Sequence, residues 1–538
     1  MEPTTDKRVE LADSTLPTFR PVALTLLVVL CVAYAWLFRD ITAPNEHSRI
    51  YLAVAVVDHG SFSLDPVGER FGGVLDLAKF EGEYRCDKAP GASLLGAVVY
   101  GAARLVTEPD QWTSIQLLDL MRFWLMIPIG LLGFLWLRRL LDVLGVEPPV
   151  VDVVSLGWML GTAAFHYSNA YFGHQIAATG LVGALLCVRL GERRVPLSEY
   201  GAARFYALAA GLLAGMAGMT EYPAGIACVL LALYVITGPM RRDLLGLLAF
   251  GLGAGVCLAA LLWYHDTAFG GPLDLPYYHL TNQRFLDVHT SGLAGLKWPT
   301  WERFSGSMLS LHRGLLATSP MFLLVLPGLW AALRSGRRRI GLLLGATVLA
   351  YVGFISSWPL WEGGWGFGPR HLVVMMGWSS VLVAFGFESL RGGVFGEAVA
   401  RGTVVAGIAY HQVVGAFFPE MAPETTNPAM DTVRVMIEEG HVGPNLVKSY
   451  TSLSGFVSVV PLALMVTLAL WLVLTRGLYR GTQWWKRWLI VLLALLIPAA
   501  AGRYIYNRGT SWKGNDRAAF MKMLEHVRKA ERGFEENS

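Results

Sequence analysis

Apolar runs close to membrane-crossing length recur from Val22 to Ala500, separated by short polar links, and this recurrence constrains the fold more than any other feature. A run of about 20 apolar residues, wound as a helix, crosses the roughly 30 Å of a bilayer's hydrocarbon core. The chain is therefore expected to be an all-α polytopic membrane protein. Apolar residues make up 54% and charged residues 16%, and the mean hydropathy is +0.46, which excludes an ordinary soluble domain. The first run ends at Phe38-Arg39-Asp40 without a small-residue cleavage site. It is expected to remain as an anchor, with residues 1–21 as a cytoplasmic tail.

Basic residues punctuate the links at Arg138-Arg139, 189–204, Arg241-Arg242, 334–339, 391–401 and 476–487. Successive basic links are two crossings apart, so all lie on one side, and cation retention makes that side cytoplasmic. This threading requires that one of the segments Ala92–Val106 and Met121–Leu137 does not cross. The shorter, broken by Gly96 and Gly101 and ending near Arg104, is expected to lie along or dip into the outer face. About 13 crossings result. The polar links 40–118, 265–316, 358–370 and 419–455 then face outward, around a membrane domain spanning 22–502. Residues 503–538 are expected to form a short outer amphipathic helix on Phe520, Met523, Leu524 and Val527. Four of the five cysteines lie in apolar runs, giving no disulfide framework or zinc pattern. The net charge of +4 is spread over the links and does not make a nucleic-acid surface.

The stretch from Asp40 to Gly91 is unusually polar for a membrane chain, carrying Asn45, Glu46, Arg49, Asp58, Tyr84, Arg85, Asp87 and Lys88. Pro44-Asn45-Glu46 predicts a helix capped by Asn45 and closed by Gly60, lying on the membrane surface with Glu46 and Arg49 sharing one face. Phe80-Glu81-Gly82-Glu83-Tyr84 reads as a turn. Arg85-Cys86-Asp87-Lys88-Ala89-Pro90-Gly91 then opens the dipping helix, and a lysine at a helix start suits an anionic partner such as a phosphate.

An acidic position soon after the first span, a basic surface helix, a Gly-Glu-Tyr turn and a Lys-x-Pro motif opening an apolar helix resemble the polyprenyl-phosphate-dependent GT-C glycosyltransferases. The likeness is to the aminoarabinose transferases of lipid A, the protein O-mannosyltransferases and related lipopolysaccharide sugar transferases, over roughly the first 190 residues. It implies a GT-C-type membrane domain with outer juxtamembrane helices, in a bacterial inner membrane with the site facing the periplasm or exterior. It implies sugar transfer from a polyprenyl-phosphate donor to a glycan, lipid or protein acceptor, leaving any divalent metal open. Carried over, the family's second acid falls on Glu46 and its phosphate-binding lysine on Lys88. The first acid of the family's pair is Asn45 here, which cannot act as a base, so Glu46 or Asp87 is left to supply the catalytic carboxylate.

The other outer links supply candidate partners. His174 and Glu221 stand at the mouths of spans and Tyr278-His279 in the long link 265–316, while Tyr84, Asn45 and Arg49 come from the first. These, with Glu362 in the aromatic and glycine stretch 358–371, are candidate substrate contacts. Arg370, opening an apolar span on the outer side, and Arg313 defy the positive-inside trend and suit a phosphate. Two other classes remain open: a multi-span transporter or lipid flippase, and a non-catalytic subunit with the same fold. A transporter would be expected to carry internal repeats and midplane charges.

Overall fold

The computed structural model describes residues 19–34, 43–108, 111–292, 295–418 and, apart from positions 423, 424, 444, 452 and 479–482, residues 421–510, together with Arg517, Phe520 and Met521. Eight helices are long and apolar enough to cross a membrane, among them Ser114–Val143, Gly173–Leu197, Arg370–Leu390 and Trp484–Arg508. Four shorter apolar helices and the 24-residue helix Val394–Phe417 occupy the other segments in which the charge threading expects crossings. The helix Gly91–Arg104, expected to lie along or dip into the outer face, has 14 residues. The tail before Phe19 and most of the segment expected to form a C-terminal helix lie outside the described residues. Arg503–Arg508, which were expected in that helix, continue the last apolar one.

Burial sorts the helices into centre and rim. Gly173–Leu197 and Arg370–Leu390 are apolar on every side and almost wholly enclosed, the pattern of a helix at the middle of a bundle. The Trp378 indole donates to the Leu181 carbonyl at 2.8 Å, tying these two together. Trp484–Arg508 instead leaves most of its apolar surface uncovered by protein, as a rim helix facing lipid would. Tyr200–Thr220 packs between Gly173–Arg194 and Leu244–Phe269. It approaches the latter so closely that a Cβ at Gly211 would overlap the Phe250 carbonyl, and one at Gly253 the Leu208 carbonyl. Small residues at such crossings let backbones touch, which compensates for the lack of a hydrophobic drive between helices in lipid. Gly211→Val is expected to part the two helices and lower stability by about 1–3 kcal/mol. A thermal midpoint in detergent equal to that of the parent would refute it.

At the bundle end bearing the basic links, ion pairs hold neighbouring helices: Asp152 accepts from Arg138 at 2.7 Å and Arg476 at 2.6 Å, and Arg337 reaches Glu388 at 2.5 Å. The opposite end carries the polar links. One departure from an all-helical chain lies there, a two-stranded antiparallel hairpin of β1 (Leu77–Phe80) and β2 (Glu83–Cys86). The five cysteines are free.

Candidate active site

The hairpin builds the first part of the site. Glu81 and Gly82 form its two-residue turn with φ of 49° and 91°, the positive values that tight hairpin turns matching strand twist require. The ladder runs from Phe80 opposite Glu83 to Leu77 opposite Cys86. Asp76 and Asp87 are the next residues out on the two strands, and they share one cation: Lys88 Nζ lies 3.0 Å from Asp76 and 2.6 Å from Asp87. Ser48 donates to the other oxygen of Asp87 at 3.2 Å. The free edge of β1 is bonded to the long link at Lys79 N to His279 O and Thr281 N to Leu77 O, at 2.8 and 3.0 Å. This pairing carries Tyr277 toward Lys88.

The two carboxylates differ in environment. The Asp87 side chain is 4% exposed and that of Asp76 is 26% exposed. Burial pushes Asp87 above the usual carboxylate range, outweighing Lys88, and the negative Asp76 adds to the rise. Burial acts on Asp76 in the same direction, but Lys88, with Arg370 and Arg49 beyond it, holds that acid below its usual value. Lys88 itself is raised, because the pull of Asp87, Asp76 and Tyr277 exceeds the penalty of its own burial. Stability contributed by Asp76 is therefore fully present above the ordinary aspartate pKa and is lost as pH falls through the lowered value in the folded protein.

The helix Pro44–Val54 supplies the second part. Its N-cap is Ala43, with Pro44 at the first helical position, so the expected cap at Asn45 moves two residues toward the N-terminus. Every residue from Ser48 to Val54 is buried, as are Asn45 and Glu46, so this is an interior helix and not a surface one. Glu46 and Arg49, set on one face by their spacing, engage different partners. Arg49 hydrogen-bonds the Asn45 side chain and reaches Glu221 at 3.3 Å, while Glu46 accepts the Tyr171 N–H at 2.8 Å and faces Arg122 at 3.8 Å. Arg122 is aimed inward by a π turn over Arg122–Met126. Glu46 is 1% exposed and fastens the link entering the helix at Gly173.

That link brings His174, whose Nδ1 lies 3.3 Å from the same Glu221 oxygen that Arg49 approaches. Burial raises the Glu221 pKa despite Arg49, Arg370 and Lys88. On the far side Arg370 lies over the Phe172 ring, with its guanidinium carbon 5.7 Å from the centroid, and donates to Trp365 O at 3.0 Å. The neighbouring His371 ring stands 6.0 Å from that of His174. Arg49 Nε, Arg370 Nε and His371 Nε2 are buried polar atoms with no hydrogen-bond partner among the described residues. Three cations, three carboxylates and two histidines thus meet where the bundle end is capped by the polar links. Among the described residues no group of three or more His, Cys, Asp or Glu is placed to hold a metal ion.

Other expected site residues are placed elsewhere. Arg313 is buried and donates to the carbonyls of Gly364, Gly366 and Gly368 at 2.7, 3.0 and 3.4 Å, which makes it the brace of a loop whose glycines have positive φ. Tyr84 is exposed, with Lys79 over its ring, and Glu362 is exposed. Tyr278 points outward, and His279 is engaged by Asp274 at 3.0 Å. Their neighbour Tyr277 is the tyrosine that acts on Lys88 and Glu221, and burial pushes it up to about 12. Asp76, Ser48, Tyr277 and His371 were not anticipated.

No protein-family model matches the chain, and no curated protein does. Solved structures of the expected kind do. The crystal structure of ArnT from Cupriavidus metallidurans bound to undecaprenyl phosphate is 15% identical, over 90% of this chain and 78% of that one, with a TM-score of 0.44. Arabinosyltransferase EmbB from Mycobacterium smegmatis is 16% identical, over 91% and 41%, with a TM-score of 0.44. The Archaeoglobus fulgidus oligosaccharyltransferase tethered with an acceptor peptide is 12% identical, over 89% and 55%, with a TM-score of 0.47. The chain thus spans about half or less of the last two. At these scores the likeness assigns no role to any residue, and roles rest on the geometry above.

Proposed function

We propose that the protein is a membrane glycosyltransferase that moves a sugar from a polyprenyl-phosphate donor to an acceptor hydroxyl on the outer face, with inversion at the anomeric carbon. The observation that carries this reading is the sharing of Lys88 between a buried carboxylate and a more open one, with Arg370 acting on the open one from across the site. A donor phosphate that takes Lys88 and Arg370 displaces Asp76 from the lysine. Asp76 is then an ionised base beside the sugar, while Asp87 stays behind as the fixed counter-charge of Lys88. The acceptor oxygen attacks the anomeric carbon, its proton passes to the Asp76 carboxylate, and the bond to the phosphate oxygen breaks with both electrons leaving on the lipid phosphate. The cations stabilise the charge that grows on that oxygen. Glu46, expected to be the base, is given a positioning part instead, because one of its oxygens accepts the Tyr171 N–H and faces Arg122, which ties it to the link entering Gly173. His174 and Glu221 are placed to orient sugar hydroxyls.

The test is transfer from a labelled polyprenyl-phosphate sugar in reconstituted vesicles, with the rate followed against pH. If Asp76 is the base, the acid limb of kcat/KM, which reports the free protein, lies below 3.8, the ordinary aspartate value, and disappears with Asp76→Asn together with most of the rate. A limb above 3.8 would transfer the role to one of the acids whose pKa is raised, Asp87 or Glu221, and its loss in Asp87→Asn or in Glu221→Gln would say which. Lipid movement without sugar transfer would replace this reading with that of a flippase.

A further inference from the structure

Far from the site, a cavity of about 260 Å³ opens at the end of the bundle that carries the basic links. Its wall is made of helix ends: the turn Val143–Gly145, the last turns of Gly173–Arg194, Tyr234 and the start of Arg338–Ser357. Four of its lining residues are Arg189, Arg193, Arg337 and Arg339. His174 and Arg189 are on one helix, about 22 Å apart at 1.5 Å per residue, so the cavity and the candidate active site occupy opposite ends of the bundle.

We propose that this cavity binds a phosphate group, carried either by an anionic phospholipid headgroup or by a soluble phosphate. Charge is the first ground. The four guanidinium groups face two carboxylates, Glu192, which pairs with Arg189 and Arg339, and Glu388, which pairs with Arg337. Two positive charges are left over. Preorganisation is the second. Arg339 stacks on the Tyr234 ring at 3.7 Å, Arg189 donates to the Tyr234 hydroxyl at 3.0 Å, and Arg337 donates to Gly145 O at 3.1 Å, so the forks are held before any ligand arrives. Arginine forks of this kind match phosphate oxygens, and basic pockets between helices at a membrane surface suit anionic headgroups. This inference does not depend on the reaction proposed above.

The test is thermal unfolding of the full-length protein in detergent, titrated separately with inorganic phosphate, short-chain phosphatidylglycerol and short-chain phosphatidylcholine. A saturable rise in midpoint is expected with a phosphate-bearing anion and not with zwitterionic phosphatidylcholine. Saturation by phosphatidylglycerol alone identifies the source as a headgroup, and saturation by inorganic phosphate as a soluble anion. Arg193→Gln with Arg337→Gln should raise the half-saturating concentration about tenfold. Equal responses to both lipids, no saturable response, or an unaffected double variant would overturn the proposal. Should that variant fail to fold, phenylglyoxal modification of the exposed Arg193 in the parent protein serves instead. The saturating anion must slow it, and an unchanged labelling rate rejects the site.

Discussion

Lys88→Ala is expected to lower transfer by about 10²–10³-fold, the loss typical of removing one fixed group that stabilises charge on a leaving or developing oxygen. The fall should be larger than for Arg370→Ala, because Lys88 has a second duty. It neutralises Asp87 and Asp76 together, and without it two carboxylates face each other across the mouth of the hairpin. Asp87, already raised by burial, would rise further and hold a proton. Lys88→Arg keeps the charge but places a flat fork where a compact ammonium bridges two acids, so it should recover only part of the rate. Initial rates with a labelled lipid-linked donor decide the matter. A Lys88→Ala protein with parental turnover would remove the lysine from the chemistry and leave it a structural cation.

The second large effect concerns folding. Arg49 and Glu221 have side chains 3% and 11% exposed and meet at 3.3 Å, and removing one partner of a buried pair leaves an uncompensated charge that costs about 3–5 kcal/mol. Arg49→Ala should therefore lower the thermal midpoint sharply. Glu221→Gln should cost at least as much, because it strands the buried Arg49, which cannot lose its charge, whereas burial lets Glu221 take up a proton when Arg49 is removed. The double variant should unfold at a temperature above that of Arg49→Ala, since no lone charge remains. Additive losses in the double variant would mean that the two groups do not act as a pair.

How much of this was legible in the chain follows from how far apart the participants are. The spans could be read because each is a local run of apolar residues, and Lys88 because it stands at a helix start. The turn at Glu81-Gly82 was also legible, and with it Asp76 could have been found. Asp76 and Asp87 stand five residues to either side of that turn, so folding back about it sets them opposite one another. Arg49 and Glu221 are 172 residues apart. A three-residue spacing suggests that Glu46 meets Arg49, and nothing local reveals that each has a stronger partner on another helix. The same limit explains Arg313. A lone arginine on the supposed outer side suits a phosphate, but the glycine stretch some fifty residues on presents bare carbonyls that already use its donors.

The hairpin has a consequence for the order in which the site comes into being. Two-residue-turn hairpins close on the order of microseconds, and contacts near in sequence form before distant ones. Asp76, Asp87 and Lys88 lie within thirteen residues, so this trio can assemble as soon as its own loop is made, while most of the bundle is still unsynthesised. Arg370 comes nearly three hundred residues later. The acids and their lysine thus precede Arg370 along the nascent chain, and the site's set of cations is complete only once Arg370 has been made.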